Sequence, residues 1–483
     1  MQRFTLARSL GAVAALVAFV IGAKVITDNS LLTHLATGEL ILGDRSVPAV
    51  DPYSRTAPGE PWTVQSWLAS VVYATLDRLA GGAGIRLLHG LVAALIGVGL
   101  WRLTAPAHQV VARTALTMIP IVIGAGLWSP RPFMFGLLAM VILLTIVQSN
   151  GPPVLLVPLF WLWANSHGSF PLGVALLAAM AVGQLVDDRL VGDRLSNDRP
   201  GHQLWWLRRY VAAALLGTFV AAVNPIGPRI LWFPVQLLGR REALEGVVEW
   251  QPPSFASPPE LVFLSLVPIV AVAARRGAPW RSLLPSVCFL LGGFLAIRNI
   301  SVAAIVIVVL LAPGFRDLFG TEDGAAVNLL SRTLGPAMVA AGVVVGMLVA
   351  GQPGLDLELY PVDEVDYLEA RGLVADPEVG LIHREAVGNY LAYRYGADSS
   401  VFIDDRFDFY PTTVTGDHLT LLDGGDYGAV LDRWGGEVVL WEADTVLAAW
   451  LRESTGWRLA IDGDDWVVAC RVDGPTFTSC IDG

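Results

Sequence analysis

The chain has 483 residues, 54% of them hydrophobic, with a mean hydropathy of +0.57 and a formal charge of −11. So apolar a composition excludes a soluble enzyme built on one core and points to a polytopic helical membrane protein. The charge is split: from Gln352 onward there are 26 acids and 8 arginines, about −18, which leaves 17 acids and 24 basic residues, about +7, before it. No basic patch or aromatic-interleaved run occurs, which excludes nucleic acid as a partner.

About eleven apolar spans can be drawn, each needing ~20 residues to cross ~30 Å of hydrocarbon. The first is Ser9 to Ile26, preceded by Arg3 and Arg8; a cleaved signal peptide is the rival reading, weakened by the missing cleavage site and by the spans that follow. The others lie near 85–103, 115–128, 132–148, 153–167, 170–187, 210–225, 260–274, 283–297, 300–314 and 334–351. Segment 66–80 is shorter and amphipathic and is placed on the outer surface; counting it as a span would invert everything after it. With it outside, one set of loops collects Arg102 and Arg113, then Arg189, Arg194, Arg199, Arg208 and Arg209, then Arg275, Arg276 and Arg281, then Arg316 and Arg332. That bias puts the N-terminus in the cytoplasm and the tail outside. Asp28, the Ser129-Pro130-Arg131-Pro132 turn, Asn165-Ser166-His167-Gly168, Asn224-Pro225 and Arg298-Asn299 then share the outer face.

Two domains are expected: a transmembrane domain over 1–351, including a long outer loop at 27–84, and a small extracytoplasmic α/β domain over 352–483. In the loop, Leu31, Leu32, Leu35 and Leu42 give a helical stripe ended by Gly43, read as a helix along the membrane surface. The tail alternates: helix 361–371, strand 379–383, helix 385–395, strand 400–404, helix 425–434, strand 437–441, helix 444–453, and a pair at 457–462 and 465–471 joined through Asp462-Gly463-Asp464. No phosphate-binding glycine fingerprint is present, so no nucleotide is assigned. Cys470 and Cys480 lie in the tail; a disulfide and two free thiols are both open on spacing alone.

A set of motifs carries a resemblance. Asp28, His34-Leu35-Ala36-Thr37-Gly38-Glu39, Val47-Pro48, Asp51-Pro52-Tyr53-Ser54, Thr56, Gly59, Pro61-Trp62 and Trp67-Leu68 resemble the first outer loop of bacterial GT-C-like polytopic membrane proteins. Arg131-Pro132, Trp163-Ala164-Asn165-Ser166-His167-Gly168, Asn224-Pro225-Ile226-Gly227, Glu249-Trp250-Gln251-Pro252-Pro253, Arg298 and Ile403-Asp404-Asp405-Arg406-Phe407-Asp408-Phe409-Tyr410 extend it over nearly the whole chain. The resemblance implies a glycosyltransferase that takes sugar from a polyprenyl-phosphate carrier on the extracytoplasmic side, with a catalytic acid in the first outer loop, here Asp28. The chain departs from the family at Ser30, where a second acid is expected, and at Gln65-Ser66, where His-Glu is expected.

Such a transfer needs a base for the acceptor hydroxyl and cations for the departing phosphate. Asp28 supplies the base; its structural alternatives are a helix cap or a partner for Lys24. Arg298 interrupts the apolar stretch from Leu283 to Leu311, where a charge is expensive, and fits phosphate or snorkels to the interface. Arg131 fits phosphate or a stiff turn. His167 and Asn165 contact a sugar or hydrogen-bond between helices, and His34 faces the same choice. Glu39 and Asp51 are reserve acids, Asp51-Pro52 also being a turn signal, and Glu249 contacts substrate or belongs to a turn before Pro252-Pro253. Asp404, Asp405 and Asp408 could hold a divalent cation but form no complete loop motif; a solvated strand end with Arg406 as counterion is the plainer reading, and no cofactor is assigned. The partners expected are the bilayer, a polyprenyl-phosphate-linked sugar and an envelope polysaccharide, glycolipid or protein acceptor. Three functions follow in order: lipid-linked sugar transferase of the envelope, noncatalytic relative that binds envelope glycolipid or scaffolds assembly, and transporter, the last disfavoured by scarce acids within the spans.

Overall fold

Long apolar runs without breakers become helices, and glycine and proline decide where they end. The computed structural model describes residues 6–482 apart from 192–201, 241–243, 245–246, 317–336, 338–339, 343, 350 and 352–353. Two compact units emerge: Met1–Ile26, Leu79–Pro234 and Val247–Gly354 form one, and Thr27–Arg78, Val235–Gly246 and Leu355–Gly483 the other. The sequence reading groups loop 27–84 with the spans; here Thr27–Arg78 shares a unit with the tail.

The helices up to the tail are α1 (Leu6–Gly22), α2 (Ser30–Asp44), α3 (Trp67–Leu103), α4 (Val110–Leu127), α5 (Phe133–Gln148), α6 (Leu156–Ser166), α7 (Phe170–Val191), α8 (His202–Val220), α9 (Arg229–Gly239), α10 (Pro258–Leu264), α11 (Leu266–Arg275), α12 (Trp280–Leu295) and α13 (Asn299–Leu311). Four helical stretches among the described residues, Trp67–Ala107, Val110–Leu127, Phe170–Leu190 and Pro258–Arg275, are long and apolar enough to cross a membrane. Leu6–Gly22, Phe133–Gln148, Pro153–Ser166, Trp280–Leu295 and Asn299–Phe315 are apolar but shorter. The span expected at 334–351 lies partly outside the described residues, and a shorter apolar helix, Ala340–Val349, falls within it; Arg194, Arg199 and Arg332 lie outside the described residues.

In the first unit α13 is buried along its whole length from Ile300 to Leu311, which is why its sequence is apolar on every side. α12, α4 and α11 pack against it, and α7 against α12. α1 crosses α3 so closely that a Cβ at Gly22 would lie 2.5 Å from the His89 carbonyl oxygen, an approach only small residues permit. Gly81, at φ 60° and ψ −165°, breaks α3, so 67–80 and 82–103 are separate helices, as the sequence predicts for 66–80 and 85–103.

The second unit is built on a four-stranded sheet, β1 (Leu381–His383), β2 (Val438–Glu442), β3 (Trp457–Asp462) and β4 (Trp466–Arg471), in the order β1-β2-β4-β3. β1 pairs with β2 in parallel and the remaining pairs are antiparallel, the β3–β4 hairpin turning at Asp462-Gly463-Asp464. Helices α14 (Val362–Glu369), α15 (Glu385–Tyr395), α16 (Thr412–Asp423), α17 (Tyr427–Arg433), α18 (Val446–Glu453) and α19 (Phe477–Asp482) surround it. α16 and α19 are absent from the sequence reading. The strand expected at 400–404 is instead an extended segment joined to the loop by the single bridge between Ser54 and Val401. Cys470 on β4 and Cys480 on α19 form a disulfide. α2 does not present its apolar stripe outward. Leu31, Leu32, Leu35 and Ile41 are buried, Leu32 and Ala36 join a tail core that includes Tyr360, Tyr390 and Leu391, and α2 packs on α15.

The loop is fixed to the tail by a buried ionic cluster. The Arg406 guanidinium donates through Nε to both Asp404 oxygens at 2.8 and 2.9 Å, through a terminal nitrogen to Asp404 Oδ2 at 2.5 Å, and through the other to Asp51 Oδ1 at 2.6 Å. The Asp51 and Asp404 side chains are wholly buried and that of Arg406 is 8% exposed. Trp62, Tyr53 and Phe409 rings lie 4.5, 5.0 and 5.2 Å from the guanidinium carbon. Burial opposes the Arg406 charge, but Asp404, Tyr410 and Asp51 hold it well above the ordinary arginine range. The second Asp51 oxygen accepts from Ser54 N at 2.8 Å and from the Ser54 hydroxyl, so no carboxylate oxygen of Asp51 is left unpaired. Asp404 is thus an interior ion-pair partner and not part of a solvated strand end. Arg406→Met would leave two buried carboxylates uncompensated and should destabilise the second unit by about 3–5 kcal/mol, read from denaturant unfolding followed at that unit.

A second buried group makes this unit acid-sensitive. His383 accepts from Phe402 N at 3.0 Å through Nε2, and its Nδ1 lies 2.9 Å from the Arg384 carbonyl, so the ring is neutral with its proton on Nδ1. Burial pushes the imidazole down from 6.5 to about 3. The unfolded chain therefore binds a proton that the folded one refuses between these values, and stability falls as pH drops from about 6.5 toward 3. The unfolding temperature of this unit should decline over that window, and His383→Gln should flatten the decline while lowering stability at neutral pH.

Candidate functional site

In the first unit, several separated motifs come together. Arg131 precedes α5 in the Ser129-Pro130-Arg131-Pro132 turn and forms an ion pair with Glu249. Glu249 belongs to a short turn whose backbone meets the break between α12 and α13: Arg298 N donates to Glu249 O at 3.2 Å, and Ile297 N to Gln251 O at 2.9 Å. The Arg298 guanidinium lies 4.4 Å from the Trp250 ring centroid. Two residues beyond Arg131, the Phe133 ring meets His167 edge-on at 5.5 Å. His167 Nδ1 is 2.8 Å from Ser169 Oγ, which also accepts from Trp163 Nε1 at 2.9 Å. Arg131, His167, Glu249 and Arg298 therefore form one chain of contacts through Phe133 and Trp250. Both arginines are part-exposed, so the cluster can meet an anion, with Glu249 neutralising part of its charge.

Asn165 is fully buried and returns its amide to Trp161 O of its own helix at 2.8 Å, which places it in helix packing. Asn224 caps its own turn, its Oδ1 accepting from Ile226 N at 2.6 Å and Gly227 N at 3.0 Å.

In the second unit, Asp28 stands just before α2 with a part-exposed side chain, and its Oδ1 accepts from Ser30 N at 3.1 Å. Ser30 Oγ donates to Asp405 Oδ2 at 2.5 Å, and Thr33 Oγ1 to Asn389 Oδ1 at 2.6 Å and Asp405 Oδ1 at 3.3 Å. Asn389 Oδ1 also accepts from Asp405 N at 3.2 Å. Tyr360 lies within the field of both acids: burial first, then Asp28 and Asp405, raises its hydroxyl far above the ordinary range. His34 Nδ1 lies 2.9 Å from Ser70 Oγ and its ring meets Tyr73 edge-on at 6.1 Å, tying α2 to the 67–78 helix.

The reserve acids are occupied elsewhere. Asp51 is the buried partner of Arg406. Glu39 forms an exposed ion pair with Arg78. Among the described residues no group of three or more His, Cys, Asp or Glu is arranged to hold a metal ion, and Asp408, whose carboxyl burial raises, belongs to no such group. The sequence reading overlooked Asn389 and Tyr360. Neither sits in a motif: each becomes visible only when the tail is folded onto α2. Arg86, buried in the first unit with its Nε donating to Ala23 O at 3.0 Å, was also overlooked, since one arginine at the start of a long span is read as an interfacial anchor. Asp51→Asn should lower the stability of the second unit by a few kcal/mol, as for any broken buried pair. Glu39→Gln should leave its unfolding temperature unchanged in the same denaturation experiment, since exposed pairs contribute little.

No family model and no curated protein matches this sequence. Among solved structures, the chain is similar to the Archaeoglobus fulgidus oligosaccharyltransferase in its complex with Zn and sulfate, with a TM-score of 0.50 and 11% identity over 90% of this chain and 68% of that one. The apo form of the same enzyme gives 0.49 and 11% over 91% and 70%. At this identity the likeness shows the fold alone: the chain has a GT-C-like membrane fold with a small C-terminal sheet.

Proposed function

We propose that the chain is a membrane glycosyltransferase-like protein that moves a sugar from a polyprenyl-phosphate carrier to an envelope acceptor on the extracytoplasmic face, through about eleven spans with the N-terminus cytoplasmic. The observation that carries the reading is Asp28: it stands just before α2 with a part-exposed side chain, its Oδ1 fixed by the Ser30 N–H at 3.1 Å, in the first outer loop where the resemblance expects the acid. The GT-C-like fold, shared with a solved oligosaccharyltransferase, supports it.

In this reading the acceptor oxygen attacks the anomeric carbon as its proton passes to the Asp28 carboxylate. The bond from that carbon to the phosphate oxygen breaks, and the carrier phosphate departs as an anion. Arg298 and Arg131 bind the phosphate, guanidinium matching its geometry. His167 in the first unit and His34 in the second are further candidate contacts for sugar or acceptor. The second reading, a noncatalytic protein that binds envelope glycolipid or scaffolds envelope assembly, is favoured by the diversion of Asp51 and Glu39 into structural pairs.

Purified protein in nanodiscs should transfer label from a panel of radiolabelled polyprenyl-phosphate sugars to total envelope lipid and polysaccharide. Asp28→Asn should lower transfer by ~100-fold or more, the scale of a lost general base. Donor binding without transfer by either protein would favour the noncatalytic reading.

A further inference from the structure

Ser30 is the first residue of α2, and it makes two hydrogen bonds to two different carboxylates. Its backbone N–H goes to Asp28 and its hydroxyl goes to Asp405. Asp405 lies 375 residues further along the chain than Ser30, in the extended segment that follows Val401. That segment is itself rigidly seated. Val401 N donates to Tyr53 O at 2.8 Å, Phe402 N is held by His383, and Asp404 and Arg406, on either side of Asp405, belong to the buried ionic cluster. Asp405 is therefore held from both sides by groups that cannot move without breaking a buried charge pair.

A serine hydroxyl bonded to a carboxylate cannot at the same time turn back to cap its own helix or to compete for the Asp28 oxygen. Thr33, one turn along α2, is held in the same way by Asn389 and Asp405. The first turn of α2 thus has its side chains committed to the tail and its Ser30 N–H left for Asp28.

We propose that Asp405 is a positioning residue for Asp28: by fixing Ser30 it holds the Ser30 N–H on the Asp28 carboxylate and so sets the orientation and reactivity of the group proposed as the base. It acts through Ser30 and touches no reacting atom. The proposal rests on the transferase reading for the meaning of Asp28, but its test does not use sugar transfer.

The test is the rate at which a water-soluble carbodiimide and an amine label Asp28 at fixed pH, read by peptide mass spectrometry on the full-length protein in nanodiscs. Asp405→Asn and Ser30→Ala should each change the Asp28 labelling rate by roughly fivefold or more, the scale of one hydrogen bond to a charged group. Ser30→Thr, which keeps the hydroxyl, should restore the wild-type rate, and the Ser30→Ala/Asp405→Asn double variant should match the single ones because both cut the same path. Labelling of Asp77, on the neighbouring helix, reports general loosening and should not change. An unchanged Asp28 rate in both single variants, a Ser30→Thr rate like that of Ser30→Ala, or an equal change at Asp77 would each overturn the proposal. Absence of sugar transfer by the wild type would remove the transferase reading and leave the coupling of Asp405 to Asp28 to be decided by these rates.

Discussion

One guanidinium governs the second unit. Arg406 is enclosed by Asp404 from its own segment, by Asp51 from the first loop and by the faces of Trp62, Tyr53 and Phe409. Desolvating three charges is expensive, and the arrangement is stable because nearly every lone pair and N–H is used: the fork on Asp404 is bidentate and Asp51 is completed by Ser54. A hydrophobic contact could slide; this one has a single register. It fixes where residues 50–56 lie, and the neighbouring contacts follow from it: Val401 pairing with Tyr53 and Arg55, the Thr56 hydroxyl on Phe402 O at 2.6 Å, and Arg55 reaching Trp434 O and Leu381 O.

Local patterns were legible in the sequence where local physics decides. α15 runs over Glu385–Tyr395, the hairpin strands over Trp457–Asp462 and Trp466–Arg471, and the break at Gly81 separates an amphipathic helix from a span, all as periodicity and turn chemistry predict. α16 was missed because Thr412-Thr413 and Gly416 dilute its helical signal, while Val414, Thr415, His418 and Leu421 find their partners only in the folded core. The segment after Ser400 reads as a strand from its β-branched and aromatic residues, yet it makes side-chain and single-bridge contacts in place of a ladder.

The candidate site shows the same division. The break before Arg298 and the turn at Arg131 were visible as polar interruptions of apolar runs, and Glu249 and Trp250 join them in one cluster of contacts. Asp51 does brace the Asp-Pro turn, accepting from Ser54 N, but its distant counterion is invisible at 355 residues of separation. Several motifs that look chemical make structural contacts: Asn224 caps a turn, Asn165 bonds back to its own helix, and the Asp-Pro-Tyr-Ser and Asp-Arg-Phe segments are the two halves of one ionic cluster. A polar motif in such a chain can therefore record a folding requirement as readily as a catalytic one.

The separation of those halves has a consequence for biosynthesis. Residues 27–78 leave the ribosome early, whereas Asn389, Asp404, Asp405 and Arg406 are made only after the whole helical unit between them. Through that interval Leu32 and Ala36 lack the tail core that they join in the finished protein, and Asp51 lacks its counterion. Closing so long a loop is slow, and the apolar face of α2 needs a temporary cover until the last segment arrives. Truncated or stalled chains thus lack both the counterion of a buried carboxylate and the apolar core on which α2 packs.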